Sequence, residues 1–112
     1  VNTNISQGEN IADNGGLEAA YEAYNKWTSL HGQEPTPSSS TYTPKQLFWL
    51  AYASNWCAKL RPEFQEQILE SGIHTLQIFR TNGPLQNSPD FGIDWNCPLE
   101  SNMNPRMKCI LW

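Results

Sequence analysis

The sequence lacks both a long apolar run and an excess of basic residues. Its longest apolar stretch, from Leu47 to Ala53, is far shorter than the roughly 20 residues that a membrane-spanning helix needs, so we expect no transmembrane segment. Seven lysines and arginines are scattered among eleven acidic residues, for a net charge of −4. Without a basic patch that could neutralise a run of phosphates, nucleic acid and anionic membranes are not expected partners.

Cysteine and histidine are also scarce. The cysteines Cys57, Cys97 and Cys109 lack the Cys-x-x-Cys spacing of a zinc finger, and an odd number cannot pair entirely within the chain. At least one cysteine therefore needs an outside partner or stays free. A catalytic zinc site commonly uses two histidines in His-Glu-x-x-His, and the two histidines present, His31 and His74, do not have that spacing.

The composition favours one folded domain in an extracellular setting. The 112 residues are enough for one compact domain, and 12% aromatic residues are too many for a disordered tail. Asn4, in Asn4-Ile5-Ser6, is a candidate N-glycosylation site, and together with the cysteines it favours an oxidising, extracellular compartment. Because the chain does not begin with methionine, we expect it to be an excerpt of a longer polypeptide.

Apolar periodicity and capping signals predict a mainly α-helical chain. Apolar and small residues recur three or four apart over residues 9–30, which is typical of one long amphipathic helix, and Gly32 ends it. Residues 32–43 are rich in proline and serine and are expected to form a surface loop. Residues 43–46 match a capping box that begins a second helix, apolar nearly all round and therefore expected to be central. Shorter helices are predicted over residues 62–71 and 75–81 and from Ser88, followed by an irregular tail after Asp94.

The acidic pair Glu9 and Asp13 is open to two interpretations. The residues are four apart, so on a helix both carboxylates lie on one face, one turn from each other. One interpretation is a solvated acidic first turn that the helix dipole favours. The other is a metal ligand with a second acid that supports it. The spacing alone does not decide between them.

Four segments resemble the neprilysin and endothelin-converting-enzyme family. Residues 8–17, GENIADNGGL, resemble that family's Glu-Asn-x-x-Asp-x-Gly-Gly block. Residues 48–57, residues 79–91 (FRTNGPLQNSPDF) and the stretch 97–112, which ends in CILW, continue the resemblance over essentially the whole chain. It implies the C-terminal, largely helical part of a thermolysin-like zinc peptidase catalytic domain, with an irregular tail tied down by disulfides. Such enzymes are secreted or are ectodomains of type II membrane proteins.

The resemblance implies a role for each candidate site residue. Glu9 is implied to be the third zinc ligand, and Asp13 to accept a hydrogen bond from a zinc-bound imidazole. His74 matches the histidine that stabilises the tetrahedral oxyanion, and Arg80 matches the arginine that binds a substrate carbonyl. Taken alone, both would be interpreted as surface residues. The two zinc histidines and the general base are implied to lie upstream, so the chain by itself is expected to be inactive.

The resemblance also concerns the substrate pocket and the cysteines. Trp56, which alone would be interpreted as a core residue, matches a tryptophan beside the S1′ pocket. Asn55 stands where a small aliphatic residue commonly lines that pocket, so the preference there is expected to shift toward polar or smaller groups. The run His74-Thr75-Leu76 departs from the family's His-Ser-Pro. Disulfides to upstream sequence are implied for all three cysteines, Cys57, Cys97 and Cys109.

The function predicted on this basis is hydrolysis of peptide bonds in oligopeptides by a zinc metalloendopeptidase. Its cofactor is one zinc ion whose remaining ligands lie upstream. The expected partners are a peptide substrate and the rest of the same catalytic domain, and a homodimer or larger complex is left open. The alternative is a non-catalytic binding or antigenic module derived from the same family.

Overall fold

A computed structural model describes residues 3–109 and 111 of the chain. Five α-helices follow one another: α1 (Thr3–His31), α2 (Pro44–Ser54), α3 (Pro62–Ser71), α4 (Gln77–Asn87) and α5 (Pro89–Asp94). The β-structure in this part of the chain is one isolated bridge between Ser101 and Asn104. No helix among the described residues has the length and apolar character that crossing a membrane requires. The prediction of a mainly α-helical chain is confirmed.

Helix α1 begins at Thr3, earlier than the predicted start at residue 9. Residues 3–8 are polar apart from Ile5 and show no apolar periodicity, yet Ser6 is fully buried. The acidic pair therefore lies within the helix, and its first turn holds no acidic residue, so the first-turn interpretation of that pair is wrong. The helix ends as predicted before Gly32, whose φ of 88° lies in the left-handed region that glycine tolerates.

The segment between α1 and α2 is an exposed connection. Residues 32–43 contain no helix or strand, and every residue in it except Ser40 is exposed. The Tyr24 hydroxyl of α1 donates a hydrogen bond to the Glu34 carboxylate at 3.0 Å, which ties the loop back to the helix.

Helix α2 begins with the capping box that the sequence predicts. The Gln46 N–H donates to Thr43 Oγ1 at 3.2 Å, and the Thr43 N–H donates to Gln46 Oε1 at 3.0 Å. Trp49 is 2% exposed, whereas its neighbour Leu50 is 36% exposed. Within the described residues α2 therefore buries one face, and the expectation of a central helix is met on that face alone.

The later helices agree with the sequence except in one place. Helix α3 has its predicted bounds, with Gly72 as its C-cap, and the Ser88 hydroxyl caps α5 by accepting from the Phe91 N–H at 3.3 Å. Helix α4 begins at Gln77 instead of residue 75, and it runs to Asn87 instead of ending at residue 81. It passes through Pro84, although proline usually breaks a helix. Pro84 and Leu85 are buried, and we attribute the continuation to packing of α4 on α1.

Three helices meet at a half-buried carboxylate, Asp94, at the end of α5. It accepts hydrogen bonds from the Tyr21 hydroxyl of α1 and, at 2.8 Å, from Trp49 Nε1 of α2. Burial, with the hydrogen bond to Asp94 second, raises the pKa of the Tyr21 hydroxyl, so it stays a donor. Five buried hydrophobic side chains form the core around this point: Leu17, Tyr21, Trp49, Leu85 and Phe91.

Beyond α5 the chain is irregular, as predicted, and two contacts hold its end on α4. Lys108 Nζ donates to the Gln86 carbonyl at 2.7 Å, and the Cys109 N–H donates to Asn87 Oδ1 at 3.2 Å. Two residues of the apolar tail that we expect to be tied down, Ile110 and Trp112, lie outside the described residues.

Candidate functional site

The two acids of α1 face different partners from the second half of the chain. Glu9 lies beside His74, in the link between α3 and α4, and Asp13, one turn further on, pairs with Arg80 of α4. Four of the predicted site residues, distant in sequence, therefore meet on one face of α1. Because each carboxylate has a partner of its own, the repulsion between the two like charges is reduced.

Asp13 and Arg80 form a bidentate ion pair. Arg80 Nε donates to Asp13 Oδ2 and Arg80 Nη2 donates to Asp13 Oδ1, both at 2.7 Å. The Asp13 side chain is 11% exposed and that of Arg80 is 15% exposed, so little water competes for the pair. The hydrogen bond to Asp13 raises the pKa of the Arg80 guanidinium above its ordinary value. The geometry fixes the plane of the guanidinium.

Two aromatic residues, Tyr52 in the last turn of α2 and Trp56 just beyond that helix, contact Arg80 on its other sides. The Arg80 guanidinium carbon lies 3.9 Å from the centroid of the Trp56 ring, in a cation–π contact. The Tyr52 hydroxyl donates to the Arg80 carbonyl oxygen at 2.7 Å. The face of the Trp56 ring is therefore turned to Arg80, and its place beside an S1′ pocket stays a prediction. Arg80 is held by its side chain and by its backbone.

Glu9 and His74 remain accessible. Glu9 Oε2 lies 3.3 Å from His74 Nδ1, and the two side chains are 43% and 44% exposed. His74 Nδ1 itself is buried and has no partner in hydrogen-bond geometry among the described residues. The Glu9 carboxylate therefore lies close to the imidazole but keeps free lone pairs.

The link that carries His74 is held against α1 by the residue after it. Thr75 is buried, and its hydroxyl donates to Asn10 Oδ1 at 3.3 Å, so the Thr75 that departs from the family's serine still makes a polar contact. The turn before it is tight: a Cβ on Gly72 would lie 2.7 Å from the Ile68 carbonyl oxygen. Any larger residue at 72 would push the backbone that places His74.

Open grooves border the site on both sides of this link. One, of about 340 Å³, lies between α1 and α4 and is lined by residues that include Asp13, Thr75 and Arg80. The other, of about 410 Å³, lies next to α3 and is lined by His74, Thr75 and Arg80. Its remaining lining includes the apolar side chains Phe64, Ile68 and Ile73. An extended chain laid beside His74 and Arg80 would meet both polar and apolar walls.

The remaining predicted residues are not drawn into this cluster. Asn55 is exposed at the end of α2, where its Nδ2 donates to the Ala51 carbonyl at 3.2 Å. Asn4 is exposed near the start of α1. The three cysteines are unpaired within the described residues; Cys57 and Cys109 are exposed and Cys97 is half-buried.

Three polar residues of the site have no counterpart among the predicted ones: Tyr52, Asn14 and Asn87. Asn87 Nδ2 donates to Asn14 Oδ1 at 2.8 Å, and Asn14 Nδ2 donates to the Asn10 carbonyl at 2.7 Å. Asn10 and Asn14 follow the two acids with the same spacing of four, which indicates a polar strip beside them on the helix. For Tyr52 the signal is Pro84, because a proline in a helix has no N–H for the carbonyl four residues earlier, that of Arg80, and this carbonyl then needs another donor.

The described residues contain no group of three histidine, cysteine or acidic side chains that could hold a metal ion. A metal ion bound at Glu9 would therefore need ligands from outside this part of the chain.

Comparison with known proteins shows what the chain is similar to. The sequence profile of Peptidase family M13 matches residues 1–111. The chain is 46% identical to neprilysin-2 of Drosophila melanogaster over 96% of its length, and 45% identical to endothelin-converting enzyme 1 of Rattus norvegicus over 100% of its length. It spans 14% and 15% of those two proteins. A chain of the Haemonchus galactose containing glycoprotein complex is similar in structure, with a TM-score of 0.85 and 38% identity, covering 91% of this chain and 17% of that one.

These matches define a peptidase class, that of the metalloproteases. The chain belongs to peptidase family M13, and its relatives there include neprilysins and endothelin-converting enzymes. The resemblance drawn from residues 8–17 and the three later segments is confirmed.

Proposed function

We propose that this chain is part of a zinc metalloendopeptidase that hydrolyses peptide bonds of oligopeptides. The observation that carries the proposal is the meeting of an accessible Glu9–His74 pair and a locked Asp13–Arg80 pair on one face of α1. A metal ligand needs free lone pairs, and an oxyanion donor needs an accessible N–H. A substrate clamp needs a fixed orientation. These four side chains meet those requirements.

The donor set fits one zinc position. The Glu9 carboxylate is 43% exposed, and one of its oxygens lies 3.3 Å from His74 Nδ1. Carboxylate oxygen is an ordinary zinc ligand, and catalytic zinc sites combine three protein ligands with one open position. Glu9 would hold the ion together with two histidines from the rest of the protein. When bound, zinc polarises the scissile carbonyl and lowers the pKa of a coordinated water.

His74 would stabilise the charge that grows on the carbonyl oxygen as water attacks. Its side chain is 44% exposed and borders the groove beside α3, so an N–H of the ring can reach a substrate. A donor aimed at the position of the oxyanion is worth more in the transition state than in the ground state. The role of this residue is therefore in turnover rather than in metal retention.

Arg80 would bind a carbonyl of the substrate backbone. Its pairing with Asp13 uses two of the five guanidinium N–H groups and leaves three. Since both Asp13 oxygens keep a second lone pair, Asp13 can also accept from the N–H of a zinc-bound imidazole. Asp13 would thus orient Arg80 and a metal ligand with one carboxylate.

The neighbouring residues would shape the pocket for the substrate side chain. We assign Trp56 to the wall of the S1′ pocket because it packs on Arg80. We assign Asn55 to the rim of that pocket, where its exposed amide would favour polar or small side chains over large apolar ones.

The environment proposed is extracellular, either as a secreted enzyme or as the ectodomain of a type II membrane protein. Cys57, Cys97 and Cys109 would then pair with cysteines in the rest of the same protein, and Asn4 would carry a glycan. The partners are a peptide substrate and the rest of the catalytic domain, and assembly into a homodimer or a larger complex belongs to the same proposal.

The test uses the full-length protein that contains this chain. We expect about one zinc per polypeptide, cleavage of a short peptide, and loss of cleavage on chelation. His74→Phe should keep the zinc and lower kcat by about 10²- to 10³-fold, the range for losing one oxyanion donor. The matched control is His31→Phe, since His31 lies at the other end of α1, about 33 Å along the helix from Glu9. A zinc-free, inactive full-length protein would contradict the proposal and favour a non-catalytic binding or antigenic module.

A further inference from the structure

A proline inside α4 removes a hydrogen bond at the residue that the proposed function places against the substrate. Pro84 lies in the interior of the helix Gln77–Asn87. In an α-helix the N–H of each residue donates to the carbonyl four residues earlier, so the missing donor at Pro84 is the one that would bond the Arg80 carbonyl. An unpaired carbonyl inside a packed structure is costly.

A side chain from another helix fills that vacancy. The Tyr52 hydroxyl of α2 donates to the Arg80 carbonyl at 2.7 Å, a good length for an O–H donor. Tyr52 is half-buried, and burial raises its pKa to about 12, so the hydroxyl keeps its proton at physiological pH. The contact joins α2 to α4 at the residue that also holds Asp13.

Arg80 is consequently fixed at both ends. Asp13 and Trp56 fix its guanidinium, and Tyr52 fixes the backbone from which the side chain projects. We propose that Tyr52 is a positioning residue for Arg80 and replaces the hydrogen-bond donor that Pro84 lacks, so that the substrate-binding guanidinium stays correctly aimed. This inference rests on the proposed function of Arg80.

The experiment is a double-mutant cycle of Tyr52→Phe and Pro84→Ala in the full-length protein. Tyr52→Phe removes only the hydroxyl, and we expect KM to rise about fivefold with kcat and zinc content unchanged, the size of one lost neutral hydrogen bond. Pro84→Ala restores the backbone N–H. In that background the Arg80 carbonyl has a helical donor, and Tyr52→Phe should no longer change KM.

Pro84→Ala also removes buried ring atoms, so its own effect on KM does not test the proposal. The test is whether the KM effect of Tyr52→Phe differs between the Pro84 and the Pro84→Ala backgrounds. Tyr42→Phe is the matched control: its hydroxyl makes no hydrogen bond among the described residues, and it should leave KM unchanged. Equal KM effects of Tyr52→Phe in both backgrounds would overturn the proposal. So would a lower unfolding temperature with no change in KM, which is the signature of a purely structural contact.

Failure of the proposed function looks different. If Arg80→Gln leaves peptide KM unchanged, the substrate role of Arg80 is wrong, and the inference of a positioning role falls with it. Thermal unfolding of the wild type, the two single variants Tyr52→Phe and Pro84→Ala, and the double variant then shows separately whether the Tyr52 hydroxyl and the Pro84 nitrogen are coupled. Coupling in unfolding without any effect of Arg80→Gln would thus separate the structural pairing from the catalytic interpretation.

Discussion

Two carboxylates on one helix differ because of what lies across from them. Asp13 is 11% exposed, and both of its oxygens accept hydrogen bonds from Arg80. Glu9 is 43% exposed, and one of its oxygens lies 3.3 Å from one nitrogen of the His74 ring. The charge of Asp13 is therefore compensated inside the chain, and that of Glu9 is available to a cation. The two acids lie on the same face of one helix, so the difference between their roles comes from their partners.

We predict that Glu9→Gln weakens zinc retention in the full-length protein. The amide keeps the shape of the side chain but is a poorer ligand than a carboxylate for a divalent cation. The measurement is zinc per polypeptide after dialysis against increasing chelator. Glu22→Gln is the control, because Glu22 is an exposed acid of the same helix. Identical chelator curves for Glu9→Gln and the wild type would remove Glu9 from the metal site.

We predict that Arg80→Lys lowers kcat/KM about tenfold or more, although the charge is kept. Lysine has no planar fork, so it cannot hold both Asp13 oxygens and offer further donors to the substrate, and a hydrogen bond to a charged group is worth about 1.5–3 kcal/mol. Peptide cleavage kinetics measure the change. Arg106→Lys, at an ion pair with side chains 68% and 64% exposed, is the control and should behave as the wild type.

The raised pKa of Tyr52 predicts a specific alkaline instability. Burial holds the hydroxyl proton in the folded state up to a pKa of about 12, while an unfolded tyrosine loses it near 10.0. The stabilisation is therefore complete below pH 10 and is lost as the pH rises toward 12. Unfolding measured over this window should show a steeper loss for the wild type than for Tyr52→Phe. Parallel curves would contradict the assignment.

At the scale of elements, local signals predicted those helix ends that local chemistry decides. Gly32, the capping box at Thr43 and the cap at Ser88 lie where the sequence indicates because each satisfies its own end groups. The start of α1 and the end of α4 were not predictable in this way. The additional first turns of α1 contain the buried Ser6, and we attribute the passage of α4 through a proline to packing of Pro84 and Leu85 on α1.

The cap of α2 also bears on the site, because this helix presents Tyr52 to Arg80 and is followed by Trp56, which packs on the same residue. We predict that Thr43→Ala lowers the stability of the full-length protein by about 1 kcal/mol, the usual cost of losing an N-cap side chain. Denaturant unfolding measures it. Thr41→Ala, an exposed threonine of the preceding loop, should cost much less. Equal effects of the two substitutions would show that the capping box is dispensable.

At the scale of the whole molecule, the chain buries little of what its sequence indicates should be buried. Among the residues that the structure describes, five hydrophobic side chains form the core, and many large ones are exposed, including Leu30 at 73%, Ile93 at 70% and Met107 at 88%. The chain spans 14% of neprilysin-2 and 15% of endothelin-converting enzyme 1, and under the proposed function the rest of the peptidase domain would cover this surface. By resemblance the sequence could single out Glu9, Asp13 and Arg80. It could not predict that Asp13 pairs with Arg80, or the surfaces whose partners lie elsewhere.

The pairing of the cysteines gives a measurable test of whether the partners of this chain lie in the remaining sequence. Cys57 and Cys109 expose their thiols, Cys97 is half-buried, and none pairs within the described residues. Exposed thiols in an oxidising compartment do not stay free, so in the full-length protein we predict that all three are joined to cysteines of the remaining sequence. Alkylation of the denatured, unreduced protein should label none of them, and alkylation after reduction should label all three. If all three are labelled without reductant, the chain is held in its protein by packing alone, and the extracellular assignment loses its main chemical support.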